Sequence, residues 1–426
     1  MATPFWYNAA LTLIKPYYKW RIKKRADNAE QLHQESIERF GPFQAVKNTQ
    51  AIWFHAVSVG ETNAAQPLIE HYLKLGHPVL VTNTTKTGQA RAKSLFLKEP
   101  YLDLFQAVYL PADQKHLVGD FFDKYQPKIL ALVETELWPN LIDQANKQNI
   151  PCMLINARLS EKSAKGYGKV PSLTTPMLNG LQQLLAQDHA TLTRFIELGM
   201  SAEHAQVVGS IKFDISAPHS FIEQAAQLKE QWNLASRKII VLASTHAPEE
   251  QNLLTALKSY LEQYPELLCI VVPRHPERFE EVFDVCQNLQ LVTQRRSLDE
   301  QIQPDTQVYL ADSMGEMWLW YALSQACYVG GSLNEPGGGH NILEPLALQV
   351  PTILGKNYLN FQTIVDEFVD AQAIRVVQNA DEAAEALIQL VFDAELVELL
   401  NLNANRIMQA NKGSLEKHIH VINQYL

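Results

Sequence analysis

Short apolar runs that alternate with stretches of helical period set the strongest limit on how this chain can fold. They lie at 51–56, 78–82, 129–133 and 152–155, then at 239–243, 267–272, 308–311 and 326–329. Runs this short and this apolar are expected of parallel strands buried on both faces by crossover helices. Two such series imply an α/β chain of two Rossmann-like, doubly wound domains, and 426 residues are too many for one ordinary core. Ser210 to Pro218 separates the series and is the best junction. Ligands are then expected in a central cleft, at the loops that leave the carboxyl ends of the strands. The helical stretch after about Asp381 is a candidate to pack back across the junction.

The amino terminus carries a separate signal. Pro4 to Ile14 is apolar and aromatic but only 11 residues long, short of the roughly 18 that a spanning helix needs. Lys15, Lys19, Arg21, Lys23, Lys24 and Arg25 follow with no acid before them, which leaves −16 of charge on the rest of a chain whose net charge is −10. Cations after the apolar run reverse the order of a signal peptide. Residues 1–25 therefore read as a monotopic anchor: Phe5, Trp6, Tyr7, Tyr17, Tyr18 and Trp20 suit the headgroup level, and the cations suit anionic lipid. An amphipathic helix packed on its own domain is the plainer alternative. An acidic remainder argues against a nucleic-acid surface, and four scattered cysteines suggest neither disulfides nor a metal clip.

Several cofactor signatures are missing. The chain has no G-x-G-x-x-G after a strand, no G-x-x-x-x-G-K-[ST] and no H-E-x-x-H, so dinucleotide, P-loop and zincin chemistry lose their main support. No Asp-x-Asp pair is present to hold a divalent metal on a diphosphate. A phosphate-bearing ligand would instead rest on helix amino termini and cations. Ser313 can cap a helix opening with Met314-Gly315-Glu316-Met317, leaving amides for a phosphate. Gly330-Gly331-Ser332 reads as a floppy loop that leads to Gly337-Gly338-Gly339-His340. Asn341 then begins a helix with Glu344 in its first turn, where a carboxylate can accept two ribose hydroxyls. Arg274 and His275 leave the strand at 267–272 and would meet an anion. Ser244-Thr245-His246 is followed by Glu249 and Glu250 in a capping arrangement, whose structural reading is at least as good as a functional one.

The first half offers carboxylates at equivalent points. Glu61 follows a strand and a glycine turn and could be an acid-base group, or could merely complement a helix dipole for about 0.3–1 kcal/mol. Glu134 and Glu136 close the strand at 129–133, and these residues alone do not choose between them. Asn156 to Ser160, Lys212, and Thr84 to Gly88 with Arg91 add polar groups at further strand ends.

Taken together, His55 to Glu61, Glu134 to Asn140, Asn156 to Ser160, Ile211 to Asp214, Ser244 to His246, Pro273 to Arg278, Met314 to Met317 and Gly330 to Pro345 make the chain resemble the Kdo transferases. These enzymes attach 3-deoxy-D-manno-octulosonic acid (Kdo) from CMP-Kdo to the lipid A precursor of Gram-negative bacteria. The resemblance implies the GT-B fold, inversion at the anomeric centre, and no metal or other cofactor. It puts Glu61 at the general base and Glu134 and Lys212 at the transition-state stabilisers. CMP contacts fall on Arg274, His275, Gly315, Glu316, Met317, Asn341, Ile342, Leu343 and Glu344. Residues 26–213 become the lipid-acceptor domain and 214–426 the donor domain. The expected place of work is the cytoplasmic face of the inner membrane. The rival readings are a sugar-nucleotide epimerase of the same fold and a non-catalytic membrane-peripheral scaffold.

Overall fold

The computed structural model describes residues 3–43 and 46–426. The chain divides into two compact units, Met1–Asp214 with Asn411–Leu426, and Ile215–Ala410. Thus the 16 residues of Asn411–Leu426 belong to the first unit although the second lies between them and the rest of it.

Seven parallel strands form the first sheet: β1 (Ile52–His55), β2 (Val79–Asn83), β3 (Phe105–Tyr109), β4 (Ile129–Val133), β5 (Cys152–Ala157), β6 (Gln183–Ala186) and β7 (Ala205–Val207). Their order is β3-β2-β1-β4-β5-β6-β7, and Ile52 pairs with Val79 on one side and Ile129 on the other. Alternation along the strands feeds two cores. Trp53, Leu80, Leu130, Leu132 and Leu154 face one layer of helices, and Phe54, Val81, Ala131, Val133 and Ile155 face the other. Each large side chain so buried contributes about 1.5–3 kcal/mol, and a one-residue slip of register would exchange the two sets. Winding reverses between β1 and β4, so their carboxyl ends splay around a crevice.

The second unit repeats the plan with β8 (Lys238–Thr245), β9 (Leu267–Pro273), β10 (Thr293–Arg295), β11 (Val308–Leu310), β12 (Ala326–Val329), β13 (Thr352–Gly355) and β14 (Arg375–Val377). The order is β10-β11-β9-β8-β12-β13-β14, again all parallel. Here the reversal lies between β8 and β12.

The amino-terminal helix, Phe5–Arg25, has two unlike sides. Phe5, Trp6, Leu13, Ile14, Tyr17 and Trp20 are exposed, Phe5 by 87% and Leu13 by 81%, whereas Ile22 is buried. No helix among the described residues is long and apolar enough to cross a membrane. The inner side is held by polar contacts. Tyr7 donates its hydroxyl to the buried Asp113 at 2.8 Å, Asn140 donates to Asn8 at 2.9 Å, and Arg39 donates to the Tyr18 hydroxyl at 2.8 Å. Asp113 also accepts the backbone N–H groups of Asn140 and Leu141 at 3.1 and 2.9 Å. Burial pushes its carboxyl up to about 7 against those three donors. Tyr7→Phe removes one of them and should destabilise the first unit by about 1–3 kcal/mol, with faster tryptic cleavage within 15–25. Urea unfolding and limited proteolysis would show it, and unchanged values for both would refute the clip.

Candidate active site

In the first unit the crevice between β1 and β4 is lined by acids. The helix Val59–Lys74 opens directly after β1 with Ser58 as its cap. Glu61 donates its N–H to the Ser58 hydroxyl at 3.3 Å. Its carboxylate turns back to accept from that hydroxyl at 2.9 Å and from the Val57 N–H at 2.7 Å. This is a capping box, yet it is more than a dipole complement. Burial first, then the charge of Glu136 and less so that of Glu134, push the Glu61 carboxyl up to about 7 against the bonds from Val57 and Ser58. A carboxyl that titrates there is suited to taking a proton near neutrality.

The two acids after β4 have separate partners. Glu134 has a left-handed backbone, φ 60°, which costs a residue with a side chain roughly 1–2 kcal/mol. Its carboxylate meets the Lys212 ammonium at 2.6 Å. Glu136 accepts from the Trp138 indole N–H at 3.0 Å and lies 3.8 Å from Nε2 of the buried His55. Lys212 sits in the short turn Ile211–Phe213, and Asn411–Leu426 holds that turn. The Ile211 N–H is accepted by the Asn156 side chain at 3.1 Å. In turn the Asn156 N–H is accepted by Nε2 of His418 at 3.0 Å. Asp214 accepts from Gly413 and Leu415 at 3.1 and 2.7 Å. His418 is buried with Nδ1 at 2.7 Å from the Ser414 carbonyl, and burial draws its pKa down to about 4. The neutral ring with the proton on Nδ1 therefore satisfies both neighbours.

In the second unit a cavity of about 280 Å3 is lined by Ser244, Arg274, Gly315, His340, Asn341 and Glu344 among others. Arg274 and His275 leave β9 as exposed side chains. Two helix starts differ from those the sequence suggests. Gly315 is left-handed, φ 85°, so the helix begins at Met317, and the Ser313 hydroxyl bonds the Glu316 carboxylate instead of capping. Asn341 does not begin a helix either. Its side-chain oxygen accepts from the Leu343 N–H at 3.1 Å, a local turn that competes with helix, and the helix runs Leu343–Ala347. Glu316 is also bound by Arg296 at 2.8 Å. Ile342 and Leu343 are buried in the core, so their side chains are committed to packing. Burial pushes the Glu344 carboxyl up, opposed by the Asn341 amide.

The Gly330-Gly331-Ser332 loop is not loose. Buried Glu249 accepts the backbone N–H groups of Gly331, Ser332 and Leu333 at 2.7, 3.0 and 2.8 Å. It also accepts the His246 N–H at 2.9 Å and the Tyr328 hydroxyl at 2.6 Å. One carboxylate thus fixes both loops at the β8/β12 reversal. The capping pattern in the sequence marked Glu249 only as a helix cap, and its other partners are remote in the chain. A Cβ on Gly330 would lie 2.7 Å from the Ser244 carbonyl and one on Gly331 3.0 Å from the His340 ring, so the close approach requires both glycines. His340 and His246 face each other with Nε2 to Nε2 at 2.8 Å.

Residues 34–215 match the family model described as 3-deoxy-D-manno-octulosonic-acid transferase (kdotransferase), and 224–407 match glycosyl transferases group 1. The chain is 35% identical to the 3-deoxy-D-manno-octulosonic acid transferase of Haemophilus influenzae, over 99% of this chain and 98% of that one. The chain belongs to the Kdo transferase family. Its similarity to the Bordetella pertussis transferase is 31% identity over 99% of both chains. A crystal structure of a C-terminal CMP-Kdo binding domain from Acinetobacter baumannii shares 58% identity, covering 45% of this chain and all of that one, with a TM-score of 0.45. Membership makes the protein a glycosyltransferase and sets aside the epimerase and scaffold readings.

Glu249→Gln puts an amide among five donors that all require an acceptor. It should destabilise the second unit by about 2–3 kcal/mol, read by urea unfolding of the full chain, and a neutral effect would show that the loop holds its shape without the carboxylate.

Proposed function

We propose that this transferase moves Kdo from CMP-Kdo to a hydroxyl of the lipid A precursor lipid IVA, with inversion and without a metal, and with Glu61 as general base. Family membership and the place of Glu61 carry the reading: its carboxylate opens the helix that follows β1 at the β1/β4 crevice, and burial with the charges of Glu136 and Glu134 raises it to about 7. As the acceptor hydroxyl attacks, its proton passes to Glu61, an assistance worth about two to four powers of ten. Glu134, held by Lys212 at 2.6 Å, opposes the positive charge that develops on the sugar, and the pair stabilises the transition state. CMP falls to the second unit, where Arg274 meets the phosphate and Glu344 the ribose hydroxyls. Gly315 lets the nucleotide approach closely, with His275, Glu316, Met317, Asn341, Ile342 and Leu343 around it.

The helix Phe5–Arg25 supplies the route to a bilayer-embedded acceptor. Its exposed aromatic side with Lys15, Lys19, Arg21, Lys23, Lys24 and Arg25 suits the anionic cytoplasmic leaflet of the inner membrane. Beneath it a cavity of about 530 Å3 is lined by Leu11, Ile14, Arg21, Arg39, Glu136 and Trp138 among others. That mixture of apolar and cationic groups suits an acylated, phosphorylated sugar.

Incubation with CMP-Kdo and lipid IVA should give a lipid heavier by whole Kdo units in the mass spectrum, and no gain in mass would overturn the donor-acceptor assignment. Glu61→Gln should abolish transfer and leave CMP binding intact; turnover in that variant would exclude it as the base. Since the deprotonated form acts, kcat/KM should fall about tenfold per unit as pH drops below about 7 and level off above it. Replacing Leu13, Tyr17 and Trp20 by serine should end flotation with anionic liposomes while the unfolding midpoint stays put.

A further inference from the structure

Of the groups that the proposed chemistry leaves unused, the histidines at the β8/β12 reversal carry the most. Nε2 of His246 and Nε2 of His340 are 2.8 Å apart, a distance that requires one ring to donate and the other to accept. Two neutral rings satisfy it with one proton between them. One more proton can enter at an outer Nδ1 and turn the pair into a single shared cation. A second would set two donors against each other and break the bond. The pair is thus built to hold one added proton and no more. His340 also lines the same cavity as Arg274, Ser313, Gly315 and Asn341, so the charge would appear inside that cavity.

The protein groups around the pair disfavour that added proton. Burial, the facing His246 and Arg274, and last His275 draw His340 down to about 4 against the opposing charge of Glu249. Burial also lowers His246; Glu249 and Glu250 push it up, His275 and Arg274 push it down. His275 packs edge-on to His246 with ring centroids 5.0 Å apart. An anion placed among these groups adds the missing opposite charge and tips the balance toward protonation.

We propose that the His246–His340 pair is a proton-charged receptor for the phosphate of the nucleotide, taking one proton from solvent when that phosphate binds. It rests on the reading of this cavity as the CMP site. The created cation balances the charge that the leaving phosphate gains when its bond to the sugar breaks. These two are positioning and charge-balancing residues for the donor.

Calorimetric titration of CMP into the full chain, in buffers of different ionisation enthalpy between about pH 6.5 and 8, counts the protons taken up while CMP itself stays largely dianionic. Uptake of most of a proton at the acid end of the range, shrinking toward pH 8, is expected, with affinity falling by less than about tenfold per unit as pH rises. Cytidine, which lacks the phosphate, should bind with no uptake. His340→Gln and His246→Gln should each abolish uptake and flatten the pH dependence, costing most of their affinity at the acid end of the range. CMP binding to the wild-type chain without proton uptake, or equal uptake in both variants, overturns the pair's role and leaves the CMP site standing. Failure of the wild-type chain to bind CMP at all overturns the CMP site itself, and the pair's role with it.

Discussion

A carboxylate taken out of water must be met by donors or take back its proton, and the working loops of both units are shaped by that demand. The desolvation cost of one ion runs to several kcal/mol, more than a helix cap or a turn contributes, so the surrounding backbone adapts to the acid. Around Glu249 five donors converge, and two loops that are remote in sequence become one surface. Around Asp113 three donors converge, and the amino-terminal helix becomes part of the first unit. Glu61 has only two and two like charges nearby. Both Glu61 and Asp113 are raised to about 7, so what separates them is access: Asp113 is buried beneath the amino-terminal helix, whereas Glu61 is half-buried at the β1/β4 crevice, where a proton can be exchanged.

The same scaffold in the two units puts these acids at comparable points. In each sheet the first strand is interior, and the winding reverses beside it. Loops at such a reversal cannot cover the strand ends, because neighbouring helices leave on opposite faces. Polar side chains there can face a ligand without breaking a core. The first unit fills that position with Glu61, Glu134 and Glu136; the second fills it with histidines, glycines and the buried Glu249.

Much of this was legible in the sequence, and what was not has physical causes. The eight apolar runs fall on β1, β2, β4, β5, β8, β9, β11 and β12, all of them interior strands; the interior strands β6 and β13, four residues each, and the edge strand β3 were not among them. The outer strands β7, β10 and β14 are only three residues long and mostly half-buried, so no apolar run marks them. Glu134 stands out because an apolar run stops at it, and Glu61 because a glycine turn and a helix start follow such a run. Their partners do not. Lys212 lies 78 residues from Glu134, and the loop amides that Glu249 accepts lie 82 to 84 residues away. Helix starts at Met317 and Leu343 were displaced because Gly315 and Asn341 favour local turns over helical backbone.

The segment Asn411–Leu426 crosses back to the first unit after the whole of the second has been traversed. It supplies His418, which fixes Asn156, which fixes the turn that bears Lys212. During synthesis on the ribosome the first sheet can therefore form early, but the turn beneath Lys212 stays without its support for nearly two hundred further residues. The turn that pairs Lys212 with Glu134 consequently gains its last tethers only when the final residues of the chain emerge. A single cut between the units, at 214 or at 410, would strand that support on the wrong fragment.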